Sequence, residues 1–197
     1  MSASRLFLER ERNEVNYYNY YFYTNAFSDQ EISDIIKLGE NEGLRSAVTG
    51  KNTEATSYRT SDISWIDETE ESSWVYKKIT DLAIDANSKM WNFDIWGFQD
   101  PLQYTTYDAK KKGHYDWHAD CGPHMSNRKL SIVLQLTDPS EYTGGDLELN
   151  LGDNINPVQK GKGIIAFFPS FILHRVSPLT SGYRRSLVTW LCGANFR

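Results

Sequence analysis

Cysteine is scarce in this chain of 197 residues: only Cys121 and Cys192 are present. Two thiols cannot build a disulfide framework, so a reducing compartment is expected. Long apolar runs are also missing, and no stretch approaches the ~20 residues that a helix needs to cross a bilayer. The opening segment, Met1 to Arg10, lacks the apolar centre of a secretory signal, so a cytoplasmic protein with no membrane partner is expected. There is no surplus of positive charge. Lys and Arg number 21 against 26 Asp and Glu, a formal net charge of -5, which argues against a broad nucleic-acid-binding face. No internal repeat, low-complexity block or dividing linker interrupts the chain. A single domain over 1–197 is expected, with 1–92 as a supporting N-terminal part and 93–197 as the core.

What is plentiful is aromatic: 12 Tyr, 9 Phe and 6 Trp, or 14% of the chain. Together with alternating β-branched residues, these favour sheet. Tyr17 to Tyr23 reads as an aromatic strand packed on one face. Ser28-Asp-Gln-Glu31 reads as a capping box, followed by Ile32, Ile35 and Ile36 on one helical face, with Gly39 or Gly43 as the stop. A second helix is expected from about Thr69 to Trp91. Asp67, Glu68, Glu70 and Glu71 stand at its positive end, and Trp74, Ile79, Leu82, Ala83 and Ala86 form its apolar stripe. From Phe93 onward short β-rich runs alternate with Gly, Pro, Asp and Asn. Strands are expected near 94–98, 101–107, 114–119, 130–137, 145–150, 163–168 and 183–192. Helices followed by about seven strands predict an α+β chain: a double-stranded β-helix (jelly-roll, cupin-like) core with the N-terminal helices packed on one sheet. Leu130, Ile132, Leu134 and Leu136 share a face by period 2 and are expected to form core wall.

The histidines carry the chemistry. His118-Ala119-Asp120 sets an imidazole and a carboxylate at i and i+2, on one face of a strand. A distant histidine would complete a 2-His-1-carboxylate set, which leaves open positions on the metal and suits non-haem Fe(II). His174 is the only histidine after residue 124. Spacing alone does not choose between His114-Tyr115-Asp116 and His118-Ala119-Asp120. Downstream, an apolar strand ends at Pro169 and delivers His174; a turn follows, then a strand beginning with Arg184-Arg185. An arginine matches a carboxylate through two parallel hydrogen bonds. Ser186 and Val188 share the face of Arg184 and are small, which leaves room for a short dicarboxylate.

These residues together resemble the Fe(II)- and 2-oxoglutarate-dependent oxygenases, in particular the prolyl-4-hydroxylase-like branch of bacteria and phages. The resemblance runs from about Tyr104 to Trp190 on Tyr107, Tyr115, His118-Ala-Asp120, Gly144-Gly145, His174 and Arg184. It implies that His118, Asp120 and His174 are the metal ligands, with no separate catalytic group beyond them. It favours His118/Asp120, because Tyr115 lies three residues before His118. It implies that Arg184, with Tyr107, Tyr115 and Ser186, binds the cosubstrate, and that Arg185 points to the other face. Tyr104 competes with Tyr107, which stands further from His118 than the family's usual spacing. The implied cofactors are Fe(II), 2-oxoglutarate and O2. The implied reaction is hydroxylation of a C–H bond, with release of succinate and CO2. A prolyl or other side chain in a peptide or protein is the expected substrate.

Other readings compete. The same machinery acts on a free amino acid or small molecule in one; another is a jelly-roll binding module without turnover; a third is a zinc hydrolase, since two histidines and an aspartate also bind zinc. Oxidative demethylation of nucleic acid fits poorly, because the further arginines expected after the distal histidine are missing. Specificity is expected in loops near 45–62 and 121–128, with His124 bordering the mouth.

Overall fold

A computed structural model describes residues 20–47, 58–123, 125–152 and 154–195. Tyr17 to Asn19, the centre of the 45–62 loop (48–57) and His124 lie outside the described residues. In chain order the elements are β1 (Tyr21–Tyr23), α1 (Asp29–Asn41), β2 (Arg45–Ser46), β3 (Arg59–Thr60), β4 (Asp62–Ile66), α2 (Ser73–Met90), β5 (Ile95–Phe98) and β6 (Leu102–Asp108). They continue with β7 (His114–His118), β8 (Arg128–Gln135), β9 (Tyr142–Gly144), β10 (Leu147–Asn150), β11 (Ile155–Pro157), β12 (Ile165–Pro169), β13 (Leu173–Val176) and β14 (Leu179–Gly193). Among the described residues the strands form two antiparallel sheets. The larger runs β1-β12-β8-β14-β6-β4-β2, with β5 and β9 also paired to β14, and the smaller runs β11-β10-β13-β7-β3. This is the jelly-roll core, with both helices on one face of the larger sheet.

The period of two explains how one sheet serves two purposes. Along β8, Leu130, Ile132 and Leu134 enter the main core with Ile35 of α1 and Ile79 and Ala83 of α2. Leu136, just past β8, joins them. Val133 faces the other way, into a second cluster with Leu147, Leu149 and Phe168 between the sheets. Strand β14 divides likewise: Leu187 and Leu191 face the helices, while Arg184, Ser186, Val188 and Trp190 face a cavity. The helix-side residues supply the apolar burial, so the cavity side is free to carry polar groups.

The capping box at Ser28 is present: Ser28 Oγ accepts from the Glu31 N–H, and Glu31 accepts from the Ser28 N–H at 2.7 Å. The helix does not stop at Gly39. It runs to Asn41, and Gly43 follows at a φ of +75°. Gly39 is kept small for another reason, because the Tyr104 ring lies across it. Helix α2 starts at Ser73, later than the charge pattern suggests. The Ser72 hydroxyl donates to the Asp67 carbonyl and accepts from the Thr69 N–H, which ties the acidic stretch into a turn before the helix. Strands β3 and β4 fall where the sequence suggested mostly loop. The Gly144-Gly145 hairpin has φ of +75° and +60°, and a Cβ at Gly145 would lie 2.5 Å from Leu179 Cδ1 and 3.1 Å from Arg184 Cδ. That turn therefore seats Arg184.

The Gly39 contact makes a stability test. Alanine is ~1 kcal/mol better than glycine inside a helix. A Cβ at Gly39 would meet Tyr104 Cγ at 2.2 Å, inside any tolerable contact. Overpacking of this kind costs ~1–3 kcal/mol. Gly39→Ala is expected to lower the urea midpoint despite the better propensity, and an unchanged or raised midpoint would refute the packing argument.

Candidate metal centre

Strands β7 and β13 bring the distant ligands together. Their antiparallel register sets His174 opposite His118 and Val176 opposite Tyr115. Two steps on β13 thus face three on β7, which is a β-bulge. Without it, Tyr115 and His118 would point to opposite faces; with it, their rings stack at 3.6 Å, 16° apart. The His118 and His174 rings lie 4.1 Å apart, and the Phe168 edge meets His174 at 4.8 Å. Asp120 lies beyond the end of β7, not on the strand as expected. Its N–H and that of Cys121 both donate to the Ser170 carbonyl at 2.9 Å, and this turn swings the carboxylate toward the imidazoles.

His118, Asp120 and His174 form a group that could hold a metal ion. One ligand atom from each of His118, Asp120 and His174 lies within 4.8 Å of the others. His118 Nδ1 contacts the Asp116 carbonyl at 2.7 Å, and His174 Nδ1 contacts the Ile172 carbonyl at 2.9 Å. Each Nδ1 is thus fixed as the protonated nitrogen, which leaves each Nε2 lone pair for a metal. His118 Nε2 is 3.8 Å from Asp120 Oδ1, and His174 Nε2 is 3.4 Å from Asp120 Oδ2. The Ser131 hydroxyl donates to Asp120 Oδ2 at 2.6 Å and meets Ser170 Oγ at 3.0 Å. Ser131 was not singled out in the sequence. Its signal is the one polar residue within the apolar run from Leu130 to Leu134.

Electrostatics keep the ligands in their binding forms. Burial, then the neighbouring His174, lowers His118 to about 4, against the pull of Asp120. Burial alone would raise Asp120, but the two imidazoles and the Ser131 hydroxyl outweigh it and hold the carboxyl below its ordinary value. A neutral imidazole and an ionised carboxylate are the species that coordinate a divalent cation. Burial raises Tyr115 to about 12, partly opposed by Arg59.

The three ligands open into a cavity of about 490 Å3. Arg184 is 2% exposed inside it. Its Nη1 donates to Ser186 Oγ at 3.2 Å, its guanidinium lies 5.4 Å from the Tyr107 ring centroid, and its buried Nη2 has no partner. An unpartnered buried guanidinium nitrogen is costly and calls for an anionic ligand. Tyr107 and Tyr115 line the cavity; Tyr104 belongs to the helix-side core. Arg185 lies on the other face, against the Tyr183 ring and Glu40. Asp116 is exposed, and its carboxylate accepts from the Trp117 N–H. His114 contacts the Lys112 carbonyl. Cys121 Sγ lies 3.7 Å from the Ser126 carbonyl and is not among the described cavity-lining residues. Arg59, on β3, lines the cavity and was missed, because its segment carries too little periodicity to mark a strand.

The 2OG-Fe(II) oxygenase superfamily matches residues 102–192. A PKHD-type hydroxylase of Synechococcus sp. (strain CC9311) is 38% identical over 107 residues, 52% of this chain and 49% of that protein. The chain spans about half the length of the curated relatives it matches, or less. Among solved structures, a Pseudomonas putida prolyl-4-hydroxylase superposes with a TM-score of 0.71 at 20% identity, covering 90% of this chain and 94% of that one. A Trichoplax adhaerens prolyl hydroxylase, solved with a hypoxia inducible factor oxygen degradation domain peptide fragment, gives 0.75 at 18% identity, covering 92% and 86%. At these identities the two structures speak for the fold.

The ligand geometry sets a binding test independent of turnover. Asp120→Asn is expected to abolish tight Mn(II) binding measured by calorimetry, whereas Asp116→Asn leaves it intact. Ser131→Ala, which removes the hydrogen bonds to Asp120 and Ser170 but no metal-ligating atom, is expected to weaken it ~10-fold. Loss of binding in Asp116→Asn with retention in Asp120→Asn would move the site to the other His-x-Asp pair.

Proposed function

We propose that this chain, whose residues 102–192 match the 2OG-Fe(II) oxygenase superfamily, is an Fe(II)- and 2-oxoglutarate-dependent dioxygenase. Its reaction is hydroxylation of a C–H bond, with a prolyl or other side chain of a peptide or protein as substrate. The observation that carries this reading is the shared cavity of His118, Asp120, His174 and Arg184. A hydrolase needs a metal and a base; it gives no role to a buried guanidinium with a free nitrogen. A cosubstrate with one carboxylate at the metal and another at its far end uses both. The peptide assignment is supported by the relative solved with a peptide fragment.

The roles follow from position. His118 Nε2, a carboxylate oxygen of Asp120 and His174 Nε2 would hold Fe(II). With Fe(II) and O2 in place, oxidative decarboxylation of 2-oxoglutarate to succinate and CO2 supplies the oxidising power. Arg184 binds the far carboxylate of the cosubstrate through its Nη atoms, and Ser186 fixes the orientation of the guanidinium. The Tyr107 ring covers that guanidinium. Val133, Leu147, Val176 and Val188 make an apolar wall that limits water around the reacting carbon. Tyr115 braces the His118 ring by stacking and so fixes its ligand orientation.

An anaerobic absorption titration tests the reading. Addition of Fe(II) and then 2-oxoglutarate is expected to give a metal-to-ligand charge-transfer band in the visible. His174→Ala should lose the band. Arg184→Gln should keep metal binding and weaken 2-oxoglutarate by ~10–100-fold, the range for a charge-assisted hydrogen bond. A folded wild-type protein that binds the metal without developing the band would refute the dioxygenase reading.

A further inference from the structure

The cavity holds more positive charge than the proposed cosubstrate balances. Among its described lining residues are three arginines, Arg59, Arg128 and Arg184, and two aspartates, Asp100 and Asp120. Arg128 donates to Asp100 at 2.6 Å and stacks over the Trp190 ring at 3.7 Å. Asp120 faces the two imidazoles, and Arg184 serves the cosubstrate. A divalent metal and a dicarboxylate cancel each other's charge. One positive charge is left over, and it sits on Arg59.

Arg59 is 8% exposed. Among the described residues its hydrogen bonds go to neutral groups: Nε donates to Ser61 Oγ at 2.8 Å, and Nη2 donates to Gln103 Oε1 at 3.0 Å. Thr105 also donates to Gln103 Oε1, at 3.2 Å, which fixes that acceptor and through it the guanidinium. The guanidinium lies 4.5 Å from the Tyr115 ring centroid, and the same ring stacks on His118. A rigid fork of donors is therefore held one aromatic ring away from a metal ligand. The contact with Tyr115 offsets part of the cost of burying this charge but does not neutralise it. The two hydrogen bonds leave most of the N–H donors of the guanidinium for a ligand.

We infer that Arg59 anchors a carboxylate of the substrate, so the oxidised C–H bond belongs to an acidic molecule or to a residue beside an acidic group. This rests on the functional reading above and adds the substrate's charge to it. Trp65, Tyr115 and Trp190, also in the cavity lining, give the neighbouring atoms a flat apolar surface.

The test uses benzoate and benzamide, which share a ring and differ in charge. Protein saturated with Zn(II), a diamagnetic occupant of the metal site, and 2-oxoglutarate is titrated with each and followed by NMR. Benzoate is expected to bind ~10-fold more tightly than benzamide, the usual gain for a charge-assisted contact. Arg59→Gln should erase the difference while 2-oxoglutarate affinity stays unchanged. Equal binding of the two probes to wild type, or a preference that survives Arg59→Gln, overturns the inference. A loss of 2-oxoglutarate affinity in Arg59→Gln also overturns it, since Arg59 then serves the cosubstrate. If that variant does not fold, the Arg59 Nε–H resonance of the wild type decides the matter: it should move with benzoate and not with benzamide. If 2-oxoglutarate does not bind wild type, the functional reading fails by itself. The probe pair is then compared in Arg184→Gln, where a retained benzoate preference still supports Arg59 and its loss refutes it.

Discussion

The pairing of β13 with β7 is the constraint on which the site depends. It sets His174 opposite His118 although a large part of the chain separates them. A slip of one residue would turn His174 out of the cavity and bring Leu173 or Arg175 in its place. Several contacts hold the register. On its other side β13 pairs with β10, where His174 stands opposite the fully buried Leu149. Phe168 meets the His174 ring edge-on, and Arg175 is bound by Glu148 on the outer face. The relative placement of the two histidines is thus fixed by sheet pairing and apolar burial. The bulge in the β7–β13 pairing adds Tyr115 to the face that His118 already occupies.

The larger sheet explains why the site tolerates so many buried polar groups. Its helix-side face, with Leu130, Ile132, Leu134, Phe167, Leu187 and Leu191, forms the main core with both helices. Stability is concentrated there. The opposite face carries Ser131, Gln103, Arg184, Ser186 and Trp190 toward the smaller sheet. A rigid scaffold with an apolar side and a polar side places donors to within a few tenths of an ångström, which loop-borne groups do not achieve. Glycine at 145 belongs to the same arrangement, because any side chain there would press on the stem of Arg184.

Much of this was legible in the sequence, and the failures have physical causes. The seven strands expected from Phe93 onward all appear, because each combines alternation with a clear breaker. Capping at Ser28 was legible because it depends on four adjacent residues. The strand that carries His174 was not: Pro169 was read as delivering the histidine directly, whereas a turn at Ser170–Ile172 intervenes and starts a separate short strand. Four residues of mixed character give no period to detect. Strands β3 and β4 were missed likewise, and Arg59 with them. The pairing of Tyr115 with His118 on one face contradicts simple alternation, since a bulge has no signature in a single sequence. In each case the missing information is long-range: which strand lies alongside, and in what register.

Charge gives the last step of the argument. A low-dielectric cavity strengthens every uncompensated charge inside it. The described lining of this cavity has Asp120 between two imidazoles and Arg184 with a buried Nη2 that has no hydrogen-bond partner. A divalent cation satisfies the first and an anion the second, and the two must be near each other because the side chains that hold them share one cavity. A chelating dicarboxylate meets both demands with a single molecule. On the proposed reading, the arrangement selects its cosubstrate by charge separation across the cavity as much as by shape. The same reasoning, carried to the remaining buried guanidinium, makes the substrate's own charge part of the design of the pocket.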